Sequence, residues 1–344
     1  MTPPSPVEIE MAPHANGLHN LTLDGIDLAR DLLSAKENLQ RDRGRIERFT
    51  DSWFGRANVR KMEPDLMPVY DPSKPDFLTV LLPFHDHPLY QSAPEEFKRI
   101  ALSCGWIAYN EKTVAIESKI VSPACMHLID GEVSGFPRHH FRDSVAQALT
   151  DESFHVLLVV MATGVTRQRR DLNDLKLPSF DLVASMQRHQ EKHPEKWKKI
   201  LIQLATAVVS EVMVSEYLSR LSNAFDIQPL NRITTEIHRR DESAHNGLFK
   251  SLGAVIYHGL NAREREFFVG ALSQPSFWFA SPELDVWDAM LEQIGFPGSK
   301  RMIADCRAQR RAKGIHLDLT TLETLFADLG VESTLRSRAF TDNF

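Results

Sequence analysis

Four apolar stretches of helical periodicity each carry an ionisable group where a hydrocarbon side chain is the rule. Glu117 stands in TVAIESKIV and Glu211 in LATAVVSEVMV. Glu152 and His155 lead directly into VLLVVMA, and His238, Glu242 and His245 follow one another at i, i+4 and i+7. An isolated carboxylate inside a helix bundle costs several kcal/mol unless it is paired. For each glutamate alone, the ordinary explanation is an apolar face that wraps only part of the helix and leaves the carboxylate wet. For all four segments together, the alternative is a fold that gathers these groups in one place.

The surrounding pattern supplies the helices for such a fold. A Pro-Glu-Glu start at Pro94 opens a segment that stays apolar at helical spacing until Pro123. Three further long helices are predicted over residues 137–169, 194–222 and 229–260, the last ending near Gly259. Shorter ones follow over 261–273, 282–294, 300–313 and 319–329. Upstream, charged residues interleave with Leu and Ile from Leu23 to about Phe49. Six prolines between Met62 and Pro88 rule out a long helix there and predict a wrapping connector. Residues 1–20 are Pro-rich and weakly hydrophobic and predict a loose tail. No alternation of period two is long enough for a sheet. The expected fold is all-α: a four-helix bundle core at about 95–260, with C-terminal helices over 261–344, in one domain spanning 21–344.

Composition narrows the class. With 40 basic and 46 acidic side chains the net charge is −6, which offers no basic face for nucleic acid. The three cysteines, Cys104, Cys125 and Cys306, are scattered and odd in number, so they read as thiols in a reducing compartment and not as a disulfide frame. No apolar run of about 18 residues is free of charge, and the start lacks the pattern of a signal peptide. A cytoplasmic protein with no membrane partner is therefore expected. His139 and His140 are adjacent and cannot both face one site, so they are expected at the surface.

Two Glu-x-x-His pairs on two helices, with single glutamates on two others, form the ligand set of a dinuclear carboxylate bundle. Carboxylate oxygens suit iron or manganese, and imidazole adds affinity while leaving positions open for dioxygen. The spacing nominates Glu117, Glu152, His155, Glu211, Glu242 and His245 as metal ligands. His238 lies one turn before Glu242 on the same face and is either a seventh ligand or a surface histidine in a polar segment. Asp151 and Asp241 each precede a ligand glutamate. They are candidates to accept a hydrogen bond from a metal-bound imidazole, against the alternative that they are exposed.

The segments PFHDHPLY, GWIAYNEKTVAIES, LTDESFH, VVSEV and IQPLNRITTEIHRRDESAH resemble, in order and spacing, the ferritin-like di-iron N-oxygenases, the p-aminobenzoate N-oxygenase type. Weaker similarity continues to about residue 331. The resemblance implies that His238 is a ligand, giving four glutamates and three histidines around two iron ions. It also implies dioxygen as co-substrate, an external electron donor, and oxygen transfer to an amine nitrogen. The product would be a hydroxylamine, then a nitroso or nitro compound, made in natural-product biosynthesis by a protein expected to be a homodimer. Tyr109, Ile116, Ser215 and Leu317 correspond to substrate-pocket positions.

Two positions depart from the family pattern. Leu317 falls where an arginine holds a substrate carboxylate, and Ile116 replaces a threonine before the first ligand glutamate. Both changes point away from free p-aminobenzoate and toward an apolar amine or one tethered to a carrier protein. Two other expectations stay open: a C–H hydroxylase or desaturase built on the same bundle, and a non-catalytic iron store. Basic runs TRQRRDL and RAQRRAKG are solvated helix ends or docking patches for an acidic partner. The aromatic-rich segment FVGALSQPSFWFASPELDVW is expected to cover the bundle or form a dimer contact.

Overall fold

The computed structural model describes residues 23–61, 70–313 and 320–331. The predicted tail at 1–20, residues 62–69 of the connector and Leu317 lie outside the described residues. The helices in chain order are α1 (Leu23–Arg56), α2 (Pro88–Gln91), α3 (Glu95–Ile116), α4 (Ser122–Asp130), α5 (Arg138–Arg169), α6 (Asp181–Glu191) and α7 (Lys196–Ser222). They continue with α8 (Pro229–Gly259), α9 (Ala262–Ser273), α10 (Pro275–Phe279), α11 (Leu284–Gln293), α12 (Ser299–Lys313) and α13 (Thr320–Asp328). Among the described residues there is no strand, so the fold is all-α. The chain divides into two units, Met1–Arg41 and Asp42–Phe344; everything below concerns the second.

The core is a bundle of four long helices. Helix α7 runs against α8 along its length, α3 packs on α5, and α5 also meets α8. Ala205, Val208 and Val209 of α7 and Leu252, Val255 and Ile256 of α8 are buried in this core. By length and apolarity alone α5 and α7 could each cross a membrane, but 76% of the apolar window of α7 is buried inside the protein. Short α10 rests on α6, α7 and α9, so the aromatic segment covers the bundle, with Phe279 and Trp287 turned inward.

Pro123 does not end the first core helix. Residues Glu117–Val121 form one wide turn in which the Ser122 amide donates to the Glu117 carbonyl, five residues back. Proline lacks an amide hydrogen and its ring clashes with the carbonyl four residues earlier. The wide turn absorbs that clash, and α4 resumes with Pro123 in its first turn and continues to Asp130. Such one-turn widenings recur at functional sites, and this one begins at the candidate ligand Glu117.

Other differences are local. Helix α1 extends to Arg56, past the expected end near Phe49, and α6 and α10 were not expected as helices. The described part of the connector is pinned by buried Asp76. Its carboxylate accepts from Arg170 Nε at 2.7 Å, Ser103 Oγ at 2.7 Å and the Tyr70 hydroxyl at 3.2 Å.

Candidate metal centre

Helical registry turns the seven candidate ligands into the bundle. Glu117 comes from the wide turn after α3, Glu152 and His155 from α5, Glu211 from α7, and His238, Glu242 and His245 from α8. None is more than 3% exposed. Their donor atoms form overlapping groups, each within 4.8 Å: Glu117, His155, His238 and Glu242; Glu152, His155, Glu242 and His245; and Glu117, Glu152 and Glu211. His155 Nδ1 lies 3.1 Å from Glu152 Oε2 and 3.2 Å from Glu242 Oε1. His245 Nδ1 lies 3.0 Å from Glu152 Oε1 and 3.9 Å from Glu211 Oε2. His238 Nε2 lies 3.0 Å from Glu242 Oε1 and 3.7 Å from Glu117 Oε1. The surface alternative for His238 does not hold, because its ring is inside this group.

Four carboxylates in a dry core conflict unless cations join them. Burial, and then the neighbouring carboxylates, push Glu117 and Glu211 well above the usual carboxylate range. Burial acts the same way on Glu242, but hydrogen bonds from His155, His238 and His245 outweigh it and hold Glu242 well below that range. Oxygen atoms Oε2 of Glu117, Glu211 and Glu242 are buried with no hydrogen-bond partner. Buried acceptors are rarely left unpaired. Oxygen and imidazole donors at this density fit a pair of metal ions, so the residues present suit a metal centre.

The two aspartates are buried and sit directly behind the histidines, in a crossed arrangement. Asp151 of α5 lies 3.1 Å from Nε2 of His245 on α8, and Asp241 of α8 lies 3.4 Å from Nε2 of His155 on α5. Each imidazole therefore presents Nδ1 to the cluster, with its other nitrogen tied to a carboxylate on the facing helix. Sequence reading did not find what stands behind the aspartates. Trp53 Nε1 donates to both Asp151 oxygens at 3.0 Å, the Asn58 amide donates to Asp241 Oδ1 at 3.3 Å, and the Arg56 guanidinium lies 3.8 Å from Asp151 and 3.7 Å from Asp241. The available signal was the helical spacing of Ile46, Phe49, Trp53 and Arg56 across the end of α1.

A cavity of about 440 Å³ lies along α3, its wall reaching Ile116, the residue before Glu117; none of the seven candidate ligands lines it. Tyr109 and Ile116 line it, along with Phe77, Leu82, Val214 and Tyr217. The Tyr109 hydroxyl is buried without a hydrogen-bond partner; burial, then the charges of Glu242, Tyr217 and Glu117, push its pKa up. Ser215 does not line the cavity: it is half-buried, and α7 presents Val214 and Tyr217 there, with Ser215 turned about 100° from Val214. The Lys112 ammonium reaches Glu283 Oε1 at 2.8 Å, so the cavity wall already matches this cation with an anion. His139 and His140 are exposed, as anticipated.

Residues 42–330 match the family model described as P-aminobenzoate N-oxygenase AurF. The chain is 28% identical over 294 residues to the 4-aminobenzoate N-oxygenase of Streptomyces thioluteus, covering 84% of this chain and 87% of that protein. A match across the bundle and its C-terminal helices assigns the chain to the p-aminobenzoate N-oxygenase family, and with it to the oxygen-using oxidoreductases.

Proposed function

We propose that this protein is a di-iron N-oxygenase that uses dioxygen and an external electron donor to oxidise an amine nitrogen to the hydroxylamine and onward to the nitroso or nitro level. The observation that carries this reading is the buried four-glutamate, three-histidine cluster with unpartnered carboxylate oxygens beside a mostly apolar cavity. Glu117, His155 and His238 would hold one ion and Glu211 and His245 the other, with Glu152 and Glu242 within reach of both. Iron bound there supplies the activation of dioxygen.

The chain's own residues do the rest. Asp151 and Asp241 fix the tautomer and orientation of His245 and His155. Phe77, Leu82 and Ile116 exclude water from the amine and from the carboxylates. The Tyr109 hydroxyl, free to donate, faces both the cavity and the cluster and is suited to orient the substrate nitrogen.

The substrate in this proposal is an apolar amine or one tethered to a carrier protein, not free p-aminobenzoate. Ile116 on the cavity wall and the pairing of Lys112 with Glu283 support this, because the Lys112 ammonium is already matched by a carboxylate. The test supplies iron-loaded protein with reductant, oxygen and a panel of amines, and identifies products by mass. N-oxygenated products from neutral or carrier-bound aryl amines are expected, with p-aminobenzoate turned over poorly and improved by Leu317→Arg. Efficient oxidation of free p-aminobenzoate by the unaltered protein would defeat the substrate assignment. Oxidation at carbon would favour a hydroxylase, and mineral growth beyond two irons per chain would favour storage.

A further inference from the structure

The end of α1 reaches the back of the cluster with one cation. Arg56 is three-quarters withdrawn from solvent, its side chain 23% exposed, and its guanidinium lies between Asp151 and Asp241 at 3.8 and 3.7 Å. The guanidinium carbon also lies over the Phe49 ring, 4.1 Å from its centroid. Phe49 in turn packs on His245, ring centroids 5.9 Å apart. Neither aspartate has another cation in reach among the described residues apart from the histidines themselves. A single fixed charge thus bridges the two carboxylates that orient the two imidazoles, from a helix that donates no candidate ligand.

From this geometry we infer that Arg56 is a positioning residue that sets the reduction potential of the metal pair. The inference rests on the di-iron reading of the cluster and goes beyond it. Six buried carboxylates, the four glutamates and two aspartates, surround the pair. They hold two trications more tightly than two dications, and so favour the oxidised state. Arg56 opposes this. Its charge repels the oxidised pair more than the reduced pair, and by holding Asp151 and Asp241 it limits the negative charge those carboxylates pass through the imidazoles. The effect is to keep the centre reducible by a soluble electron donor. Arginine suits the place because one guanidinium nitrogen lies within 3.8 Å of both carboxylates while the group also stacks on an aromatic ring.

The experiment compares Arg56→Met, Arg56→Gln, Arg56→Lys and the exposed control Arg60→Met with the parent protein. Each is loaded with iron to a measured stoichiometry and poised against redox mediators. Both neutral variants should lower the potential, shifting the ferric-to-ferrous ratio at a fixed mediator potential on the order of tenfold toward ferric. Arg56→Lys should recover most of the shift and Arg60→Met should show none. A parent-like potential in both neutral variants would overturn the inference. So would an Arg56→Lys potential as low as theirs, because shape and not charge would then be responsible. Failure of the parent protein itself to bind two irons would instead remove the di-iron reading beneath it.

Discussion

At the scale of single residues, the site depends on pairs that no local sequence window contains. Asp151 precedes Glu152 in the chain but supports His245, 94 residues away; Asp241 precedes Glu242 but supports His155, 86 residues away. Replacing either by Asn keeps the volume and removes the charge, and should weaken metal binding about 10–100-fold. Nitrogen NMR of the histidines should also reveal the crossing: Asp151→Asn moves the His245 signals and Asp241→Asn those of His155. Movement of the sequence-adjacent histidine instead would contradict the arrangement. His238→Ala should lower metal occupancy by at least about tenfold in affinity, read by titration with Mn(II) or Fe(II); unchanged binding would remove His238 from the cluster's function.

Glu117, Glu152, His155 and Glu211 were legible because each is a polar intrusion beside an apolar run, and Glu242 and His245 because they repeat the Glu-x-x-His spacing; His238, in a polar segment, was assigned only through the family resemblance. Partners of the aspartates were not legible in the same way. A Trp or Arg near a helix end looks like any solvated terminus until the helix is known to lie across the bundle. Ser215 misleads for the opposite reason: it is near the cavity in sequence, but helical rotation turns it aside.

At the scale of elements, the four core helices follow from apolar periodicity and proline punctuation, and the bounds of the last three lie close to the expected ones, whereas the first runs past Pro123 to Asp130. Periodicity could not reveal the wide turn at Glu117–Val121, because Pro123 gives the same signal whether a helix stops or a turn widens to accommodate it. Helix α6 is short and sits in a polar segment, so tertiary packing and not pattern decides it. The loop between α4 and α5 carries a sharper constraint. Gly135 has φ +64°, and a Cβ there would come within 1.9 Å of the Gly259 carbonyl at the end of α8. Neither backbone can yield without moving a core helix. Gly135→Ala should therefore destabilise the fold by about 2–3 kcal/mol, measured by urea denaturation; a loss below about 0.5 kcal/mol would mean that this approach is not tight in solution.

At the scale of the whole molecule, the bundle and its added helices divide the work. Four helices bring the acidic and imidazole side chains together, α1 backs the aspartates, and α10 and α11 close the cavity with Phe279 and Trp287. A storage protein needs the first of these but not a mostly apolar cavity next to the cluster, which is why substrate oxidation is the stronger proposal. The measurement that bears most directly on the central claim is an anaerobic ferrous titration of the metal-free protein, followed by one addition of oxygen with a neutral aryl amine present. Saturation at two irons per chain and N-oxygenated amine in the products is the expected result. No stoichiometric binding, or binding without any oxidation at nitrogen across the amine panel, would contradict it.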